Sequence, residues 1–129
     1  MQARQPVYIL DASYNIPGVT GDPIQEFHNR RIPNAKFFEI DTIADKTSSY
    51  PHMMPDNNTF NHYMKKLGIK NDENPLVIYD RLGVISSPRV WFTFKTFGRK
   101  NIAVLNGGLP KWVEESLPTE SGQVAIYNQ

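Results

Sequence analysis

An α/β domain built on a mostly parallel sheet is the fold this sequence predicts, on three observations. Short apolar runs alternate with helix-patterned segments along the chain. The run Leu76-Val77-Ile78-Tyr79 is apolar throughout, as a strand buried on both faces requires. The 129 residues contain no internal repeat and suffice for one self-supporting core, so a single domain is expected.

Each element has its own local signal. Val7-Tyr8-Ile9-Leu10, ending at Asp11, is the expected first strand. Residues 15–23 hold Pro17, Gly18, Gly21 and Pro23 and read as loop. Asp22 is placed to cap a short helix that opens on Pro23 and runs through Phe27 to Arg30. Arg31-Ile32-Pro33-Asn34-Ala35 ends it, and Lys36 to Asp41 forms the second strand. Thr42 to Asn58 is a long irregular connection, a kind of segment that often carries function. Thr59 is expected to cap a helix with Phe60, Tyr63, Met64 and Leu67 on one face and Gly68 as its stop. Leu76 to Tyr79 is the central strand. Pro88 to Phe97 then reads as a helix with Val90, Trp91, Phe94 and Phe97 on its apolar face, ended by Gly98. Ile102 to Leu105 is a strand, Gly107-Gly108 a turn, and Leu109 to Ser116 a last helix carrying Trp112.

Composition removes several function classes. A net charge of +1 gives no electrostatic case for nucleic acid or a membrane surface. No apolar run approaches the ~20 residues of a spanning helix. Met1 to Pro6 has no apolar signal core, although a transit peptide removed ahead of this numbering remains compatible. The chain has no cysteine, which excludes disulfides, thiolate metal sites and a thiol nucleophile of its own. Its three histidines, His28, His52 and His62, are dispersed and make a poor metal set; His28 and His62 are expected on exposed helix surface. Gly107-Gly108 lacks a phosphate-loop pattern, so neither metal nor cofactor is expected.

The ordered motifs resemble the rhodanese domain family. They are Leu10-Asp11-Ala12-Ser13-Tyr14, Arg31-Ile32-Pro33-Asn34-Ala35, Phe37-Phe38-Glu39-Ile40-Asp41, Tyr50-Pro51-His52-Met53-Met54-Pro55, Val77-Ile78-Tyr79-Asp80, Pro88-Arg89-Val90-Trp91, and Val104-Leu105-Asn106-Gly107-Gly108 with Trp112. The likeness is closest to the N-terminal domain of two-domain thiosulfate and 3-mercaptopyruvate sulfurtransferases, and it runs from Val7 to Pro118. Arg31 and Asn34 stand where that family usually has His and Gly. The resemblance implies a central, mostly parallel sheet with helices on both faces. It sets the domain at residues 1–118 and makes residues 119–129 a tail left from an inter-domain linker.

In a catalytic rhodanese domain the nucleophilic Cys follows the central strand and opens a loop whose N–H groups bind an anion beside a helix N-terminus. Here Asp80 holds that position, and a carboxylate is a poor sulfur acceptor. Asp80 is read as a strand-end carboxylate capping the loop that follows it. Asp41 and His52 resemble two members of a Ser-His-Asp relay that serves the active Cys of the other domain; alternatively they only brace loops. Arg89 is expected in an intra-domain ion pair. Arg81 is either a partner contact or a solvated loop cation. Val84 and Ile85 at the loop tip, with His52, Met53 and Arg81, mark the former inter-domain face, where another protein subunit is expected to dock.

The leading expectation is a non-catalytic module acting as a structural or interaction subunit of a larger assembly, mitochondrial by the family's frequent setting and cytoplasmic as the alternative. The second is half of a split sulfurtransferase completed by a Cys-bearing partner domain. The third is a sensor binding a small anion after Tyr79.

Overall fold

The computed structural model describes residues 7–13, 22–39, 43, 57–70, 72–82 and 86–126. Among these the chain forms, in order, β1 (Tyr8–Asp11), α1 (Pro23–Asn29), β2 (Lys36–Phe37), α2 (Asn57–Leu67), β3 (Leu76–Tyr79), α3 (Ser87–Thr96), β4 (Ile102–Val104) and α4 (Gly108–Glu114). The four strands make one parallel sheet in the order β2-β1-β3-β4. β1 and β3 are central, in a register that sets Tyr8 opposite Leu76 and Asp11 opposite Tyr79.

Strand alternation sorts the side chains into two cores. Leu10, Leu76 and Ile78 point to one face, where they meet Phe60, Met64 and Leu67 of α2 and Val90 and Phe94 of α3. Ile9 and Tyr79 point to the other, against Phe27 of α1 and Leu109, Trp112 and Val113 of α4. Helices therefore cover both faces, as the apolar run at β3 requires. Burying each large side chain of the α2 stripe contributes about 2 kcal/mol.

The helix signals operate as expected, with small shifts. The Asp22 carboxylate accepts from the N–H of Ile24 at 3.0 Å and of Gln25 at 3.4 Å, capping α1. Gly68 ends α2 at φ 75°. Gly107 opens α4 at φ 80°, and a Cβ there would meet the Lys111 side chain at 2.6 Å. Helix α2 begins at Asn57, so Thr59 lies inside the first turn and is not its cap.

Two strands are shorter than expected. β2 pairs only at Lys36 and Phe37, and Phe38 N–H adds one bond to the Asp11 carbonyl at 2.9 Å. Phe37 and Phe38 still alternate between the two cores, so burial continues past the paired residues. β4 stops at Val104, although Leu105 N–H still donates to the Ile78 carbonyl at 2.8 Å.

The segment after α4 folds back onto α1. Arg31 and Glu120 exchange both backbone hydrogen bonds, at 3.0 and 2.9 Å. The buried Arg31 side chain donates to Glu120 Oε1 at 3.1 Å and to the carbonyls of Gly122 at 2.8 Å and Phe27 at 3.2 Å. Its guanidinium also lies 5.2 Å from the Phe27 ring centroid. His28 Nδ1 accepts from the Val124 N–H at 3.3 Å, so His28 is half-buried, whereas His62 is exposed.

Candidate functional site

From β1 the chain crosses to β2 on one side of the sheet, while β3 lies on the other. The carboxyl ends of β1 and β3 thus flank the topological switch point, where open α/β sheets form their crevices. Asp11 ends β1, and Tyr79 followed by Asp80 ends β3. All three are buried.

The Asp80 carboxylate is held by the loop and helix that follow it. Oδ1 accepts from the Leu82 N–H at 3.0 Å. Oδ2 accepts from the N–H groups of Ser86 and Ser87, each at 3.1 Å, and from the Ser87 hydroxyl at 2.8 Å. Ser87 opens α3, so a negative charge sits against that helix's N-terminal amides, where the backbone dipoles favour it. Pro88 follows, where a missing N–H leaves no donor unsatisfied. The capping role read from the sequence is therefore the one the geometry supplies, with Asp80 reaching forward across the loop to α3.

Beside it lies a group the sequence reading passed over. Asp11 Oδ1 accepts from the Ser13 N–H at 2.9 Å, whereas buried Oδ2 has no hydrogen-bond partner among the described residues. Burial pushes the Asp11 carboxyl up to about 6; the Ser13 hydrogen bonds and the Arg81 charge pull it back only partly. The Tyr79 hydroxyl accepts from the Ile32 N–H at 3.3 Å, and it lies close enough to feel the Asp11 charge without an ordinary hydrogen bond to Oδ2. Burial, and then the Asp11 charge, holds the Tyr79 hydroxyl well above the usual phenol range. The only sequence signal for Asp11 was a carboxylate closing an apolar strand, a pattern shared with many solvated strand ends.

Arg81 turns inward. Its guanidinium pairs with the Glu26 carboxylate on α1, and its backbone N–H donates to Ser13 Oγ at 3.0 Å. Burial lowers its pKa, opposed by the charges of Asp11 and Asp22. The Ser86 hydroxyl donates to the Ala12 carbonyl at 2.6 Å. The segments that follow β1 and β3 are thus bonded to each other, which neither segment's sequence announces. Arg89 is exposed and has no ion-pair partner among the described residues, contrary to expectation; its place on the outer face of α3 points it away from the core. Asp41, His52, Met53, Val84 and Ile85 lie outside the described residues. The structure therefore brings together Asp80 and Arg81, with Asp11, Tyr79 and Glu26 added. Among the described residues no cluster of His, Asp and Glu could hold a metal ion, and no helix is long and apolar enough to cross a membrane.

Chemically, three of the four described loop amides, those of Leu82, Ser86 and Ser87, are spent on the protein's own Asp80 carboxylate, and the fourth, that of Arg81, on Ser13 Oγ. The serine hydroxyls described at the switch point are engaged within the protein, Ser86 donating to the Ala12 carbonyl and Ser87 to Asp80, and the chain has no cysteine to supply a thiol.

Comparison with known proteins agrees with this architecture. The rhodanese-like domain family matches residues 1–115. The human 3-mercaptopyruvate sulfurtransferase is 42% identical over 124 residues, covering 95% of this chain and 41% of that enzyme. The crystal structure of SseA, the 3-mercaptopyruvate sulfurtransferase of Escherichia coli, superposes with a TM-score of 0.84 at 39% identity, covering 92% of this chain and 45% of that one. A sub-stoichiometric sulfur transferase subunit of yeast mitochondrial complex I superposes with a TM-score of 0.75 at 36% identity, over 84% of this chain and 35% of that one. The chain spans about two-fifths of the length of the curated relatives it matches. By motif, fold and sequence it belongs to the rhodanese-like domain family and is homologous to the N-terminal domain of the two-domain 3-mercaptopyruvate sulfurtransferases.

Proposed function

We propose that this domain is a non-catalytic rhodanese module that serves as a structural or interaction subunit of a larger, mitochondrial assembly. The observation that carries the reading is Asp80. A buried carboxylate, hydrogen-bonded through both oxygens, stands at the position where the resemblance places the nucleophile. It also occupies the amides of Leu82, Ser86 and Ser87, which weighs against an anion at those three donors. The likeness to a yeast mitochondrial complex I subunit supports both the assembly and the compartment. In this reading the docking face is the former inter-domain surface, with His52, Met53, Val84, Ile85 and the 44% exposed Leu82. Arg81, paired with Glu26, braces that face instead of reaching the partner. In this reading residues 119–129 correspond to the inter-domain linker of the two-domain relatives.

Sulfur transfer from thiosulfate or 3-mercaptopyruvate to cyanide or a thiol tests it. The isolated chain and its native complex are both expected to be inactive, and Val84→Asp with Ile85→Asp to release the chain from the complex. Turnover by the complex that requires this chain sinks the proposal.

A second reading is favoured by the 42% identity to a sulfurtransferase of which this chain covers 41%. In it the chain is one half of such an enzyme, and Asp41 and His52 serve a Cys-bearing domain. That reading expects activity to appear when the Cys-bearing domain is added and to fall when His52→Ala is introduced.

A further inference from the structure

On the sheet face covered by α2 and α3, away from the switch point, a cavity of about 900 Å³ opens between the two helices and the segments that follow each of them. Its volume falls within the ~300–1,000 Å³ of small-molecule sites. Phe60, Met64, Ile69, Phe94 and Phe97 supply apolar wall, and Phe60 and Phe97 are stacked with centroids 4.2 Å apart. Among the described residues the polar lining is one-sided: Lys65, Lys70 and Arg99 with the amides of Asn57 and Asn61, and no carboxylate.

The three cations are not equivalent. Arg99 is fixed, its side chain 7% exposed, with Nη1 on the Lys70 carbonyl at 2.7 Å and Nη2 on Asp72 Oδ1 at 3.3 Å. Its buried Nε has no acceptor among the described residues. Asp72 offsets much of that charge from behind. Lys65 and Lys70 are exposed, and their ammonium groups make no ion pair among the described residues. A stacked aromatic wall beside two unpaired ammonium groups is complementary to a molecule with an apolar body and one anionic head.

We propose that this cavity binds a small amphipathic anion, a medium-chain carboxylate being the simplest member of the class. The chain or ring lies against Phe60, Met64 and Phe97, and the carboxylate lies between Lys65 and Lys70. The site is separate from the Asp80 loop, so it stands whether or not the domain takes part in sulfur transfer.

Titration of the whole chain with dodecanoate below its micelle concentration tests this, followed by calorimetry and by amide chemical shifts. Saturable one-to-one binding is expected at about 10–100 μM, with the largest shifts at Asn61, Lys65 and Gly68. The double variant Lys65→Glu with Lys70→Glu replaces two exposed side chains and is expected to keep the native circular dichroism while weakening dodecanoate about tenfold or more. Dodecanol, lacking the charge, is expected to bind the two proteins alike. No saturable binding below about 1 mM overturns the proposal. So do shifts confined to another surface, and so does equal dodecanoate affinity in the folded double variant.

Discussion

The Asp80 carboxylate accepts two hydrogen bonds from one residue, the N–H of Ser87 at 3.1 Å and its hydroxyl at 2.8 Å. That pair ties the end of the central strand to the start of the helix across the intervening loop. A buried charge stays favourable only while such partners remain. Replacing Asp80 by Ala is expected to lower stability by about 2–3 kcal/mol in urea unfolding. Replacing Ser87 by Ala should lower it by about 1 kcal/mol, because the backbone N–H remains. The double variant should lose less than the sum, since both singles remove the same contact.

Asp11 gives the domain a pH response of defined sign. Its folded-state pKa of about 6 lies above the ordinary value of 3.8, so the folded protein holds this proton more tightly than the unfolded chain. The stability it contributes is full below about 4 and is lost as pH rises to about 6, by up to about 3 kcal/mol. Asp11→Asn should remove that slope from chemical unfolding curves measured between about pH 4 and 7. Asp72 acts oppositely and at lower pH. Partial burial raises it, but the Tyr8 hydroxyl, Asn74 and Arg99 hold it below 3.8, so its contribution is lost only as acid protonates it.

Arg31 anchors the returning C-terminal segment. Glu120→Ala removes the acceptor of Arg31 Nε and of the Asn34 N–H, while Arg31 keeps the Phe27 and Gly122 carbonyls. A loss of about 1 kcal/mol is expected, with faster hydrogen exchange at the amides of Gly122 and Val124. Arg31→Ala should cost about 2–3 kcal/mol, because it also removes the buried guanidinium from the Phe27 ring. Equal effects of the two substitutions would contradict this hierarchy.

Asn34 has φ 69°, a left-handed conformation that Asn tolerates better than other residues with a side chain beyond Cβ. That accounts physically for glycine being the residue expected there in the family's motif. Asn34→Gly should change stability by less than about 0.5 kcal/mol, and Asn34→Val should lower it by about 1–2 kcal/mol. Thermal unfolding of the two variants checks both values.

By itself the sequence determined the layered fold. The apolar run of β3, the spacing of Phe60, Met64 and Leu67, and the Asp22-Pro23 and Gly68 signals act through neighbours within a few residues, so they could be read in order. It also settled that this chain brings no thiol. The exact strand ends were not legible, because they depend on where a neighbouring strand stops pairing. Nor were the partners of Asp80, Arg81 and Arg31: Ser87 lies seven residues from Asp80, Glu26 fifty-five from Arg81, and Glu120 eighty-nine from Arg31. Only the tertiary structure brought these groups together, and only burial decided that Asp11 would hold its proton to about 6. Local pattern specifies elements because its interactions are short in sequence. Charges at the carboxyl ends of strands take their character from what packs over them.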